Sequence, residues 1–167
     1  MLQMMKGLDL ERYEPRLYIV SEGDQFSAEK AAEFETGSSF PEAFSVTTIP
    51  RARKVLQPIW TVPFTASISF FICVKEFTLK PWLQGKPFAD LLLLNGPGTC
   101  IPLFATVFLN RVLGMQSPRV IYIESFTRVK TLSLSGRILR PLVDRFVVQW
   151  PNLTRKGEKE RYSGWLI

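Results

Sequence analysis

The sequence predicts one α/β domain built on a doubly wound, mostly parallel sheet, and three features carry that expectation. Short apolar runs of strand length alternate with helix-length segments along the chain. One run, Leu91-Leu92-Leu93-Leu94, has no polar alternate face, as expected of a strand covered on both sides. Two runs end abruptly in small and polar residues just before a helical stretch, at Asn95-Gly96-Pro97-Gly98-Thr99 and at Glu124-Ser125. In open α/β sheets the carboxyl end of a strand looks like this where a ligand is held.

The elements follow in order. Met1 to Leu10 reads as the end of an earlier helix, and Leu17 to Val20 as a strand after Pro15. Asp24 can cap a helix reaching Glu35, with Phe26, Ala31 and Phe34 as its apolar stripe. Phe44 to Ile49 is a strand closed by Pro50, and Arg51 to Lys80 a long helix bent at prolines. Phe88 to Leu94 is the leucine strand, Thr99 to Leu113 a helix and Arg119 to Ile123 the next strand. Thr131 to Leu142 is a short helix, Arg145 to Gln149 a strand, and Trp150-Pro151 a turn. An extended apolar piece, Tyr162 to Ile167, closes the chain. Without repeats or low-complexity linkers, residues 1–167 read as a single domain. Such domains normally open with a central strand, a glycine-rich turn and a helix. Here the chain begins inside what reads as that helix, so a sheet lacking its first strand, with a gap between its halves, is expected.

Composition bounds the chemistry. The chain has 167 residues, 46% of them hydrophobic, enough for a substantial core. A net charge of +6 fits an anionic membrane surface or a phosphorylated ligand. The dispersion of the basic residues speaks against nucleic acid. There is no histidine, which excludes histidine metal sites, Ser-His-Asp and Cys-His catalysis, and the commonest general base. Neither a metal nor a cofactor is expected. Cys73 and Cys100 lie in apolar surroundings without paired spacing and read as reduced core thiols in a cytosolic environment. For that reason the Asn152-Leu153-Thr154 acceptor pattern carries no weight. No signal peptide opens the chain: Met1 to Gly7 lacks an apolar stretch. About twenty uncharged residues from Val55 to Val74 have the length of a membrane span. The prolines, threonines and serines inside them favour a bent helix packed on the sheet or lying against a bilayer.

Several residues have two readings each. Gly96 and Gly98 either expose N–H donors to a ligand or simply connect strand to helix. Asn95 either bonds a ligand hydroxyl or fixes the turn. Glu124, at a strand's carboxyl end, either contacts a ligand and helps deprotonate its hydroxyl or pairs with Arg128. Arg128 and Lys130 either neutralise a phosphorylated ligand or face solvent. Ser133, Ser135 and Gly136 form a small-residue face that reads as packing. Phe64, Ile68, Phe71 and Ile72 at helical spacing, beside the basic Arg51-Ala52-Arg53-Lys54, read as core or as a lipid-facing stripe.

An ordered series of motifs supports a resemblance covering nearly the whole chain. Asp24, Ser27, Lys30, Phe34 and Glu35 come first, then Ile49-Pro50-Arg51 with Arg53. Asp90-Leu91 and Asn95-Gly96-Pro97-Gly98-Thr99-Cys100 with Pro102 follow, then Ile121-Tyr122-Ile123-Glu124-Ser125 and Arg128-Val129. Thr131-Leu132-Ser133-Leu134-Ser135-Gly136 and Gln149-Trp150-Pro151 complete it. The chain thereby resembles the membrane-anchoring, acceptor-binding subunit of the two-part N-acetylglucosaminyltransferase that adds the second sugar to dolichol-linked oligosaccharide.

That resemblance implies a Rossmann-like fold, the acceptor half of a GT-B-type transferase, similar to the bacterial enzyme that glycosylates a lipid-linked peptidoglycan precursor. The partner chain would bind UDP-N-acetylglucosamine. Transfer would be to N-acetylglucosaminyl-diphosphodolichol on the cytosolic face of the endoplasmic reticulum membrane. This chain would be a non-catalytic subunit, inactive alone, that recruits its partner and shapes the acceptor site. Asn95, Gly96, Gly98, Thr99, Glu124, Ser125 and Arg128 would bind acceptor, with Glu124 the candidate catalytic residue. Arg51, Arg53, Phe64 and Phe71 would face lipid, and Trp165-Leu166-Ile167 would dock the partner. The family's membrane helix, first strand and Gly-Gly-His turn have no counterpart, so the chain reads as an N-terminally truncated form. An interaction-only protein that binds the partner without supporting transfer is the alternative.

Overall fold

The computed structural model describes residues 2–8, 10–36, 44–53, 57–96, 98–154 and 160–162. They form a mixed α/β structure with parallel sheets, in two compact units, Met1–Arg51 and Ala52–Leu166.

In the first unit a short helix α1 (Leu2–Met5) precedes β1 (Arg16–Ser21), α2 (Gln25–Thr36) and β2 (Phe44–Ile49). β1 and β2 pair in parallel from Arg16↔Phe44 to Ser21↔Ile49. Asp24 accepts from the Ser27 amide at 3.1 Å and the Ser27 hydroxyl at 2.8 Å, which starts α2 where the sequence placed its cap. The expected apolar stripe differs. Ala31 is buried, but Phe26 is 69% exposed and the other fully enclosed side chain of α2 is Glu35. An ionic partner explains that burial: Arg16 reaches both Glu35 oxygens, Nε at 2.8 Å and Nη2 at 2.7 Å, and the Tyr18 hydroxyl donates to Oε1 at 2.5 Å. A carboxylate so enclosed requires this degree of satisfaction.

The second unit opens with α3 (Val62–Val74), which runs through a π-turn (Lys75–Leu79) into α4 (Lys80–Leu83). The continuous helix spans 22 residues, Val62–Leu83, and so begins well after the Arg51 start expected, with Pro58 ahead of it. Pro63 sits in the first turn, where its missing N–H costs nothing. Pro81 is accommodated by the widened turn before it, in which the Lys80 amide bonds the Lys75 carbonyl five residues back.

Then come β3 (Leu91–Asn95), α5 (Cys100–Val112), β4 (Arg119–Ile123), α6 (Leu134–Leu139), β5 (Arg145–Val148) and β6 (Glu160–Tyr162). The strands form a four-stranded parallel sheet in the order β3-β4-β5-β6. Each connection from β3 to β4 and from β4 to β5 carries a helix, the repeating unit of a Rossmann-like fold. Among the described residues no strand joins β1–β2 to β3, so the parallel strands lie in two sheets.

Burial alternates along the strands. Leu92, Leu94, Val120, Tyr122, Phe146 and Val148 form the core face with Leu103, Phe104 and Val107 of α5. Leu91 is 36% exposed and Leu93 half-buried, so the leucine strand is sealed on one face only. Helix α6 is shorter than expected, six residues in place of Thr131 to Leu142, because Ser133 takes the N-cap. β6 supplies the start of the closing extended piece, whose last residues, including Trp165, Leu166 and Ile167, lie outside the described residues.

Candidate functional site at the carboxyl edge of the sheet

The register decides where the two sequence corners meet. Asn95 lies opposite Ile123 in the parallel β3–β4 pair, so both strands deliver their loops to one edge. The Asn95 side-chain amide donates to the Ile123 carbonyl at 3.1 Å and ties the two exits together. That bond is the one the turn-fixing reading of Asn95 requires.

Gly96 turns the chain with φ +80°, in the left-handed region that a side chain disfavours. A Cβ on Gly98 would meet nothing within 4 Å, so this part of the turn is open. Thr99 follows as the α5 N-cap without a side-chain capping bond. Behind the open glycine turn the 13-residue helix presents its positive end, which favours negative charge, although the Ile101 amide already bonds the Gly98 carbonyl at 3.1 Å and Pro102 has no N–H. Pro97 lies outside the described residues. Cys100 is buried there. Burial pushes its thiol up to about 12, with a backbone hydrogen bond from Asn95 pulling the other way, which removes it as a nucleophile.

Glu124 sits at the end of β4 and is wholly buried. Its Oε1 accepts from the Ser125 amide at 2.9 Å, and its Oε2 from the Ser133 amide at 3.0 Å and the Ser133 hydroxyl at 3.1 Å. Ser133 Oγ in turn accepts from the Gly136 amide at 2.9 Å and lies 3.0 Å from the Tyr122 hydroxyl. With the serine proton given to the carboxylate, Tyr122 is the donor to Ser133. Burial, more than its neighbours, raises the Tyr122 phenol to about 12, so it keeps that proton. The arrangement pins both ends of the 125–133 loop. Neither an ion pair with Arg128 nor an open face for a sugar is present at this carboxylate: among the described residues no salt bridge involves Glu124. It positions the loop.

Gly136 was expected to pack, and it packs against this carboxylate: an added Cβ would lie 2.3 Å from Glu124 Oε2. The other loop residues are open. Ser125 Oγ pairs with Thr127 at 2.9 Å, and Arg128 and Lys130 are exposed. The edge continues to β5, where Gln149 donates to the Glu124 carbonyl at 3.0 Å and the Trp150 indole to the Phe126 carbonyl at 2.9 Å. Phe126 and Trp150 rings stand 5.3 Å apart. Gln149 is 1% exposed and its Oε1 has no hydrogen-bond partner among the described residues. In the sequence Tyr122 and Gln149 read as strand residues and Trp150 as a turn; no periodicity announces that they stitch three loops into one edge.

The remaining site residues separate. Arg51 donates through Nε to the Glu22 carbonyl at 2.7 Å, which occupies it with the β1–α2 turn of the first unit. In the second unit Arg53 is exposed, and α3 leaves Phe64 71% and Phe71 69% exposed. Trp60, Ile68, Trp82 and Leu83 extend this open face along the helix. The opposite face packs on α5 through Ser69, Cys73 and Phe77, with Thr78 bonded to Asn110 at 2.8 Å.

The model of the family described as "Oligosaccharide biosynthesis protein Alg14 like" matches residues 1–166. The chain belongs to the Alg14 family. The UDP-N-acetylglucosamine transferase subunit ALG14 of Cryptococcus neoformans is 41% identical over 157 residues, 91% of this chain and 68% of the relative. The subunits of that name from Mus musculus and Homo sapiens are 39% and 38% identical, each over 93% of this chain and 71% of theirs. Among solved structures, the crystal structure of Acinetobacter baumannii MurG aligns with a TM-score of 0.49 at 12% identity, over 87% of this chain and 44% of its own. The motif series from Asp24 to Trp150 lies within the matched residues, and this chain is a glycosyltransferase-related subunit.

Proposed function

We propose that this chain is the acceptor-side subunit of an N-acetylglucosaminyltransferase that moves N-acetylglucosamine from UDP-N-acetylglucosamine to N-acetylglucosaminyl-diphosphodolichol. It acts with a catalytic partner that binds the sugar nucleotide, on the cytosolic face of the endoplasmic reticulum membrane. The observation that carries this reading is the meeting of the Asn95–Thr99 and Glu124–Arg128 loops at one sheet edge in a chain of the Alg14 family. Backbone amides around Gly96, Gly98 and Thr99 and the exposed Arg128 guanidinium suit the acceptor diphosphate. Ser125 is available to a sugar hydroxyl, while Glu124 serves as a positioning residue. The general base then belongs to the partner.

The open α3 face supports membrane contact. A helix packed on one side and showing Phe64, Ile68 and Phe71 on the other lies in an interface more naturally than across it. Arg53, just ahead of it, would meet anionic headgroups. The terminal Trp165-Leu166-Ile167 is our choice for partner docking.

The test is reconstitution. The chain, the purified catalytic subunit of an Alg14-type transferase, UDP-N-acetylglucosamine and a phytanyl-diphosphate N-acetylglucosamine acceptor should together yield the disaccharide lipid, and neither protein alone should. Partner binding without turnover would mark an interaction-only form. Failure to bind the partner would refute the proposal.

A further inference from the structure

Beyond the glycine turn, the second unit holds a cavity of about 460 Å³ that the transferase reading does not use. It opens between the loop leaving β4, through Lys130 and Thr131, and the loop leaving β5, through Asn152 and Thr154. Helix α6 supplies its third wall with Arg137 and Arg140, three residues apart and so on one helical face. Three cations therefore converge on one concavity, and its described lining contains no carboxylate.

Several other cations of the molecule are paired. Arg16, Lys30, Lys80 and Arg111 each face a carboxylate within salt-bridge distance. Lys130 and Arg137 have no ion pair among the described residues. Arg140 is steadied in another way, its guanidinium lying 5.9 Å from the Phe146 ring centroid over a strand of the core. Like charges gathered in a concave site raise the local potential and concentrate counter-ions. The Arg137 guanidinium fork and the Lys130 ammonium, in a pocket walled by threonine hydroxyls and an asparagine amide with Arg140 adding positive potential, match the several oxygens of a phosphate ester. A carboxylate would leave most of these donors unused.

We propose that this cleft is a second anion site, distinct from the glycine turn, that holds the phosphate or diphosphate group of a ligand. That group could reside on a soluble phosphoester or on a lipid headgroup, and the two sources are separable by experiment.

The full chain, labelled with nitrogen-15, is titrated with inorganic pyrophosphate at low ionic strength. Saturable shifts are expected at the Thr131 and Thr154 amides, and the double variant Lys130→Gln/Arg137→Gln should weaken them about tenfold or more, since each charge-assisted contact is lost with its cation. Both residues are exposed, so an unchanged urea unfolding curve is expected for the variant. The charge-matched control Lys75→Gln/Lys86→Gln should titrate like the parent. No saturable shift at these amides, or an equal loss in the control, overturns the proposal. Co-sedimentation with phosphatidylcholine vesicles containing phosphatidic acid then assigns the source. Binding lost in the Lys130/Arg137 variant points to a headgroup, whereas vesicle binding unchanged beside lost pyrophosphate shifts points to a soluble phosphoester. Because the readout is amide shifts, its failure leaves the transfer assay untouched.

Discussion

Replacing Gly136 by alanine tests the claim that Glu124 is a fixed part of the loop framework. The new Cβ would stand 2.3 Å from Glu124 Oε2, 3.0 Å from Ser133 Oγ and 3.3 Å from Glu124 Cδ, where ordinary contact begins at 3.4 Å. The carboxylate oxygen must retreat by about 1 Å, and it carries the bonds from the Ser133 amide and hydroxyl. Two charge-assisted hydrogen bonds at about 2 kcal/mol each are at stake. Against them, alanine improves on glycine in a helix by about 1 kcal/mol. The net expectation is about 3 kcal/mol of destabilisation, or a fall in Tm of about 6–12 °C for a chain of this size. Urea and thermal unfolding measure it directly. The decisive comparison repeats the substitution in a Glu124→Ala background, where only the 3.0 Å contact with Ser133 Oγ remains and Gly136→Ala should cost far less. An equal cost in both backgrounds would refute the reasoning, because the glycine would then be needed for something other than the carboxylate.

Further outcomes follow from the same structure. Glu35→Gln leaves the enclosed Arg16 guanidinium only the more exposed Glu14 carboxylate, 3.6 Å away, and should cost about 3 kcal/mol, read by chemical denaturation. Asp24→Ala should cost about 1 kcal/mol through loss of the α2 cap. The Ser27 hydroxyl first, and its amide second, hold the Asp24 carboxyl below the usual range. A depressed folded value means that this stabilisation is present above the ordinary aspartate pKa, about 3.9, and is lost as pH falls through the folded one. The difference between parent and Asp24→Ala should accordingly be constant near neutrality and close in acid. Burial raises the thiols of Cys73 and Cys100 to about 11 and about 12. Ellman's reagent at mildly alkaline pH should leave both unlabelled in the folded chain and label both in urea; rapid labelling of the native chain would contradict their burial. Phe64→Ser and Phe71→Ser should each reduce vesicle partitioning about tenfold, as expected for withdrawing a largely exposed aromatic side chain from lipid contact.

Much of the framework was legible in the residues. The strand Phe44–Ile49 and the strand Arg119–Ile123 have the bounds that apolar runs and flanking breakers indicate. The cap at Asp24 and the turn at Gly96 follow from chemistry that needs no distant partner. The helix expected from Arg51 starts only at Val62 and continues past Lys80 to Leu83, because a π-turn accommodates Pro81, and no local pattern encodes that remedy. The ordered motif series also indicated the family, which the comparisons confirmed.

Roles were another matter. A glutamate at a strand end reads alike whether it meets substrate or holds a loop, since sequence gives its type and its strand but not the donors folded onto it. Only the tertiary arrangement placed the Ser125 and Ser133 amides on Glu124, Arg16 and Tyr18 on Glu35, and Arg137 and Arg140 beside Lys130. Local order along this chain is written by periodicity and turn chemistry, which act over a few residues. The meaning of its charges is decided by burial and by partners tens of residues away, which exist only once the sheet has formed.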